Sequence, residues 1–421
     1  MFELCWRRPT KAQDKKVISV IYLVNCYASP DQVSVGSATR HYHHVQGLSA
    51  NGWQVDVITA AQSTISAAPI SSDKTAAGAK VHFIHVGALK SGNLIHRATY
   101  HVRFFLRSLS RSLIPRKPSM VIASMPSLLI GWQGYLVSRL KRSKLILDVR
   151  DLWADSISTT QLARLPLFVG LNRLLEKLLY RTADVITCTS KAQVQEVRKM
   201  VRNGVPVFFV PNALDPEVKG GEPEPHPIMT DLRKKYRWVG LFAGKHSQYT
   251  ALDTLLTAAS QLGGDGFALV LVGGGYSKDA LIRRAEREGI DNVYFHDPVP
   301  KKEVNAFLVG ADFFFVNYSS EQVWEKVLPN KLFDYMYWNR PVIAAVVPGE
   351  ITRVISESGG GISVPPENPL AIVEALRRYM NGEYEVSDAR PYLLKHFDRV
   401  NTVCLFIEYC RQALYLQGPQ P

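Results

Sequence analysis

Residues 325–350 read E-K-V-L-P-N-K-L-F-D-Y-M-Y-W-N-R-P-V-I-A-A-V-V-P-G-E, and G-G-G-I-S-V-P-P-E follows at 359–367. The order is loop, helix, buried strand, glycine turn, helix and short strand. Leu332, Phe333, Tyr335 and Met336 mark the first helix, whose opening turn carries Lys331 and Asp334. Arg340-Pro341 stops it, and Val342 to Val347 is an apolar run of strand length. In an open α/β sheet a ligand lies beyond the carboxyl ends of the strands, where helix N-termini present free backbone N–H groups. A lysine and a carboxylate at such a helix start suit a nucleotide, the ammonium for phosphate and the carboxylate for ribose hydroxyls. An ordinary solvated helix turn has the same composition, so the rest of the chain must decide.

Upstream, the second half opens with W-V-G-L-F-A-G-K-H-S-Q-Y-T (238–250), a strand running into a loop with Gly244 and Lys245. F-A-L-V-L-V-G-G-G (267–275) repeats that pattern around Gly274, and V-Y-F-H-D-P-V-P (293–300) gives a further strand and turn. The first half starts with a polar leader, residues 1–15, then K-K-V-I-S-V-I-Y-L-V-N as a buried parallel strand. A loop with Pro30 and Gly36, a helix from Ser37 to Ala50 and a strand from Val55 to Thr59 complete a βαβ opening without G-x-G-x-x-G. Residues 62–80 read as a surface excursion. Further on, K-L-I-L-D-V-R-D-L-W-A-D-S (144–156) is a strand feeding a loop with Arg150, Asp151 and Asp155. Helix Phe168 to Thr182, strand Asp184 to Thr189 and strand Val207 to Val210 follow, and the last ends in P-N-A-L-D. We read 16–212 as one domain, 213–230 as a Pro/Gly/charge linker, 231–390 as a second domain and 391–421 as a long helix with its tail.

A chain of 421 residues is long enough for two or three cores. Cys5, Cys26, Cys188, Cys404 and Cys410 are scattered without metal-type spacing and read as reduced thiols. No signal-peptide core is visible, and Val17 to Tyr27 is too short to span a bilayer. The net charge of +13 is uneven: residues 81–150 hold twelve Lys/Arg and one acid, Asp148. Within that stretch Arg103, Arg107 and Arg111 stand four apart on one helical face, with Phe104, Phe105 and Leu109 nearby. A basic amphipathic helix with exposed aromatics reads as an element facing an anionic membrane surface. Nucleic acid fits less well, because no stacking or helix-turn-helix motif accompanies the charge.

P-N-K-L-F-D-Y-M, then N-R-P-V-I-A and G-G-G-I-S-V-P-P-E, resembles the donor-binding segment of the retaining GT-B glycosyltransferases. It is most similar to the family 4 branch with P-S-K-x-F-E-Y-M-A-x-G-K-P-V-I, which builds bacterial surface polysaccharides. D-V-R-D-L-W-A-D-S is likewise similar to that branch's E-V-R-D-L-W-P-E-S, and P-N-A-L-D to P-N-G-x-D. The resemblance implies an α/β fold of two doubly wound, Rossmann-like domains facing a cleft, with a C-terminal helix crossing back to the first. It also implies sugar transfer from a nucleoside-diphosphate sugar, UDP or GDP, to a lipid-linked or oligosaccharide acceptor, with anomeric retention.

By the same resemblance the donor would meet Gly244, Lys245, Gly274, the backbone near Val299, Glu325, Asn330, Lys331 and Asp334. Asp151 and Arg150 would lie at the reacting centre, and Gly36 and Arg40 on the acceptor side. No metal or other cofactor is called for, since cations can neutralise the diphosphate. The expected location is cytoplasmic, on the inner face of the plasma membrane. Three departures stand out. Lys326 occupies the first position of the family's Glu-x7-Glu pair, Asp334 replaces its second glutamate, and Thr250 stands where a loop lysine is usual. A nucleotide-sugar 2-epimerase of the same fold, or a non-catalytic nucleotide-binding protein, is the alternative.

Overall fold

The computed structural model describes residues 17–32, 38–61, 75–76, 78–87, 94–114, 117–125, 127–158, 166–201, 204–221 and 223–415. The leader and Gly36 lie outside them. The chain forms two compact units, one from Met1–Ser29, Ala38–Pro211 and Val400–Pro421, the other from Pro30–Ser37 and Asn212–Arg399.

In the first unit β1 (Ser19–Leu23), α1 (Ala38–Ala50), β2 (Gln54–Ala60), β3 (Thr75–Ala76), β4 (Ala79–Ile84), α2 (Leu94–Leu113) and β5 (Met120–Met125) come first. Then follow α3 (Leu128–Lys141), β6 (Lys144–Val149), α4 (Trp153–Ser158), α5 (Pro166–Tyr180), β7 (Val185–Cys188), α6 (Lys191–Met200) and β8 (Val207–Phe209). The sheet order is β3-β4-β2-β1-β5-β6-β7-β8, parallel except for β3 against β4. Its central strands are apolar on both faces because helices cover both. Helices α2, α3, α5 and α6 bury Phe104, Val137, Leu179 and Val197 on one side. Helix α1 covers the other with Val45 and Leu48.

The second unit contains α7 (Pro227–Lys235), β9 (Trp238–Ala243), α8 (Leu252–Gln261), β10 (Phe267–Val272), α9 (Lys278–Glu288), β11 (Val293–His296) and α10 (Lys301–Leu308). It continues with β12 (Phe313–Asn317), α11 (Asn330–Tyr337), β13 (Val342–Ala345), α12 (Glu350–Ser358), β14 (Gly361–Val364), α13 (Pro369–Met380) and α14 (Arg390–His396). Its sheet, β11-β10-β9-β12-β13-β14, is wholly parallel, and the strand order reverses between β9 and β12. The linker region is not unstructured: Pro216–Lys219 is one 3-10 turn, and α7 starts at Pro227.

The final segment is two helices rather than one. α14 ends at His396, and α15 runs Arg399–Tyr415. The break is made by long-range bonds: Leu214 N–H donates to the Phe397 carbonyl at 2.8 Å, and Arg399 N–H to the Leu214 carbonyl at 3.1 Å. A helix cannot continue while those groups are bonded to a distant segment at Leu214. Beyond the break, Val403, Phe406, Ile407 and Cys410 of α15 enter the first unit's core beside Val20 and Tyr22, so the chain does cross back. Cys404 is disulfide-bonded, a correction to the reading of thiols throughout, whereas Cys188 and Cys410 are free, buried thiols.

Candidate donor and catalytic sites

The second unit's reversal point is built by two interlocked strand-to-helix turns. Gly244 N–H donates to the Val272 carbonyl at 2.9 Å, and His246 N–H to the Gly274 carbonyl at 2.9 Å. Gly273 has φ +143°, and a Cβ there would lie 1.9 Å from the Gly244 carbonyl oxygen. At Gly275 it would meet the His246 carbonyl at 2.1 Å. The triple glycine is thus required by backbone approaching backbone, a stronger reason than an ordinary turn. Asn317, at the end of β12, pins the same region by donating to the Thr250 and Ala251 carbonyls at 2.7 and 2.8 Å. Thr250 is buried, its hydroxyl closing a capping box with Ser247. The position where the family pattern has a lysine therefore serves the loop's own backbone.

Lys331, from the start of α11, reaches into this turn. Its Nζ lies 3.7 Å from the Phe242 ring centroid and 5.9 Å from that of Tyr318. A Cβ on Gly244 would come within 2.9 Å of it. No carboxylate pairs with Lys331 among the described residues, and burial pulls its ammonium down from 10.5 to about 7. Aromatic faces hold a cation by their quadrupole, but a buried charge without a counter-ion is costly. Lys245 is exposed beside Tyr276, its Nζ 6.0 Å from that ring. Trp324 stacks on Tyr318 at 4.8 Å and packs against Tyr249 at 5.7 Å, adding a flat apolar surface next to Lys331.

Asp334, expected on the ribose, is buried and ion-paired with Lys301. Burial raises its carboxyl from the usual range, and Lys301 opposes that rise. Lys301 also lies 3.9 Å from Asp215, which Arg399 Nε grips at 2.8 Å. Arg399 reaches Asn330 Oδ1 at 3.3 Å as well. Of the Asp334 oxygens, Oδ1 has no hydrogen-bond partner. Glu325 and Lys326 end a 3-10 turn, and a Cβ on Gly349 would lie 2.3 Å from the Glu325 carbonyl oxygen. Gly274 packs on Pro298, and Val299 follows in the turn before α10.

One residue in this turn escaped the reading of the sequence. His246 is wholly buried with neither ring nitrogen bonded. Burial, with Lys278 and Lys331 nearby, lowers its pKa to about 4, so the imidazole is neutral at pH 7. Its place directly after the loop lysine was the only signal available.

In the first unit Arg150 and Asp151 follow β6, with Asp151 exposed and Arg150 half-buried. Protein crowded around Asp151 raises its carboxyl from the usual range, against the pull of Arg150. Arg150 Nη1 donates to His41 Nε2 at 3.1 Å. A guanidinium only donates, so the His41 proton sits on Nδ1 and is given to the Tyr22 oxygen at 3.1 Å. Tyr22, held protonated by burial, then donates to His44 Nδ1 at 3.3 Å. Arg40 is elsewhere engaged: it is 0% exposed and bonds Asp148 at 3.1 Å and the carbonyls of Val210 and Pro211 at 2.9 and 2.6 Å. Ser124 and Thr187 complete the Asp148 shell. That arginine ties strand ends together and has no surface to offer an acceptor.

On α2, Phe104 is buried and Phe105 half-buried, so the aromatics belong to the core rather than to an exposed face. Arg103 is exposed, but Arg107 is bonded to the His85 carbonyl and Arg111 to His82 Nδ1 at 2.9 Å. Among the described residues, no helix is long and apolar enough to cross a membrane.

Comparison with known proteins agrees with this geometry. Residues 35–213 match the glycosyl transferase 4-like domain model, and residues 237–382 match the glycosyl transferases group 1 model. WcaI of Escherichia coli, provisionally named a colanic acid biosynthesis glycosyl transferase, is 23% identical over 93% of this chain and 99% of its own length. WbjE of Pseudomonas aeruginosa, provisionally named a glycosyltransferase, is 22% identical over 62% of this chain and only 63% of its own length. Among solved structures, sucrose-phosphate synthase from Thermosynechococcus elongatus is similar in fold, with a TM-score of 0.74 at 16% identity, covering 94% of this chain and 98% of that one. Anabaena HepE, solved with UDP-glucose, gives 0.66 at 13% identity, covering 94% and 100%. With both halves matched in order and two parallel-sheet units of this topology, the chain belongs to the group 1 glycosyltransferases of the GT-B fold.

Proposed function

We propose that the protein transfers a sugar, with anomeric retention, from a nucleoside-diphosphate sugar to a lipid-linked glycan acceptor in surface-polysaccharide synthesis. The observation that carries the donor half is Lys331: a half-buried ammonium, paired with no carboxylate among the described residues, at the strand-order reversal and flanked by two aromatic rings. A diphosphate there supplies the missing counter-charge. Departure of the nucleoside diphosphate builds negative charge on the β-phosphate, which the ammonium groups of Lys331 and Lys245 would stabilise. These cations can do the work that a metal does in other sugar transferases, so we expect no metal requirement. Positive charge growing on the sugar calls for a nearby carboxylate, the role given to Asp151, with Arg150 orienting it.

HepE was solved with UDP-glucose, which supports a uridine donor by analogy of fold alone. WcaI's provisional naming for colanic acid biosynthesis supports a surface polysaccharide as the product class. Incubating the protein with UDP- and GDP-sugars and undecaprenyl-linked glycans, and following the anomeric proton by NMR, tests the reading. A new α-linkage from an α-donor supports it. Conversion of the sugar at C2 without an acceptor would place the protein among the epimerases instead.

A further inference from the structure

Helices α2, α3 and α5 lie side by side on one face of the first unit's sheet, α2 against α3 and α3 against α5. Their outward sides therefore form one continuous surface. That surface is apolar where water should meet polar residues. On α5, Leu167, Leu171, Leu174 and Leu178 recur at helical spacing, exposed by 88, 50, 53 and 41%. The opposite side of α5 is also occupied, burying Asn172, Glu176 and Leu179. On the neighbouring helices Leu106 of α2 and Leu140 of α3 are exposed as well, by 60 and 67%. Contiguous exposed aliphatics of this extent mark an interaction surface.

The charge around the patch selects the partner. Helices α2 and α3 contain no Asp or Glu. The single acid of α5, Glu176, is buried and receives bonds from Trp153 N–H, Ala154 N–H and the Tyr180 hydroxyl. Arg103, Arg139 and Arg173 are exposed on the three helices. A second copy of this chain docking about a two-fold axis would bring these like charges together. An anionic leaflet would not.

We infer that this face docks on an anionic bilayer, with the α5 leucine stripe entering the boundary between headgroups and acyl chains and the three arginines at phosphate level. The inference deepens the lipid-linked acceptor reading above. It also moves the membrane contact from the arginines of α2, two of which are bonded to the protein itself, to the leucines of α5.

Flotation of the full chain with phosphatidylcholine vesicles, with and without phosphatidylglycerol, tests it. We expect binding only to the anionic vesicles, lost at least tenfold in Leu171→Ser/Leu174→Ser at low and high salt alike. Arg139→Gln/Arg173→Gln should weaken binding about fivefold per charge at low salt, and much less at high salt. In Leu171→Trp the introduced indole should shift its emission to the blue when anionic vesicles are added. Unchanged flotation of the serine variant, or no flotation of the wild type, would overturn the inference. A dimer in solution that the serine variant dissociates would assign the face to self-association instead. Nucleotide titration of the same variants separates the two proposals, because the donor reading requires unchanged affinity in the serine variant whatever the vesicles show.

Discussion

The guanidinium of Arg150 meets the imidazole of His41 at 3.1 Å, and it is the arginine that donates. That direction fixes a chain of bonds from Arg150 through His41 and Tyr22 to His44. His41 and Tyr22 are fully buried, so they set where Arg150 points. His41→Phe should lower kcat about 10- to 100-fold with little change in donor affinity, the pattern of lost positioning. Tyr22→Phe should cost less, because Arg150 keeps its immediate acceptor. Steady-state kinetics beside nucleotide titration distinguishes the two terms.

Donor affinity should fall as pH rises through neutrality. Lys331 carries a pKa near 7 when free, and a bound diphosphate favours its charged form. Above that value the protein must take up a proton to bind, so Kd should rise toward about tenfold per pH unit. Calorimetric titrations in buffers of different ionisation enthalpy would show the proton uptake directly. The effect on folding has the opposite sign in Lys331's favour: its folded pKa is lowered, so stability grows between about pH 7 and pH 10.5 and the cost of burial is full below 7. Lys331→Met should therefore melt higher than wild type at pH 6.

The Lys301–Asp334 pair predicts a stability asymmetry. Asp334→Asn leaves Lys301, only 16% exposed, with Asp215 at 3.9 Å as its remaining carboxylate, one that Arg399 already holds, and should destabilise by about 3 kcal/mol, the low end for a broken buried pair. Replacing both members, as Lys301→Met/Asp334→Leu, should cost distinctly less. Urea unfolding of the three proteins gives the comparison, the slope being checked for constancy.

Gly273→Ala should be severe for a local reason. Its φ of +143° disfavours a side chain, and the Cβ would lie 1.9 Å from a backbone oxygen of the partner turn. Gly289→Ala serves as the control: φ is +65° with open space around it, so about 1 kcal/mol is expected. Only the first should also abolish nucleotide binding, because it parts the two turns beside Lys331.

The extent to which the chain announces its own structure differs by kind of feature. Val342 to Ala345, Phe267 to Val272 and Leu145 to Val149 are strands that any apolar run of that length would suggest, and they are buried as expected. Lys331 at a helix start was likewise legible, since Pro329 and the apolar spacing mark the helix by local rules. That no carboxylate among the described residues pairs with it was not. Nor was the capture of Asp334 by Lys301, 33 positions away, or of Arg40 by Asp148, 108 positions away. Spacing within a helix carries no information about partners brought in by sheet topology. The exposed face of α5 was missed for the opposite reason. Its leucines fit an ordinary core helix, and only the packing shows that four of the six are exposed.

The most direct test of the account is isothermal titration of UDP, GDP and their common sugar conjugates into wild type and Lys331→Met at pH 7. One nucleotide series should bind the wild type, with affinity at least tenfold lower in the variant, while the variant's fold and stability are intact. Equal affinity in both proteins, or no binding of any nucleotide to the wild type, would contradict it.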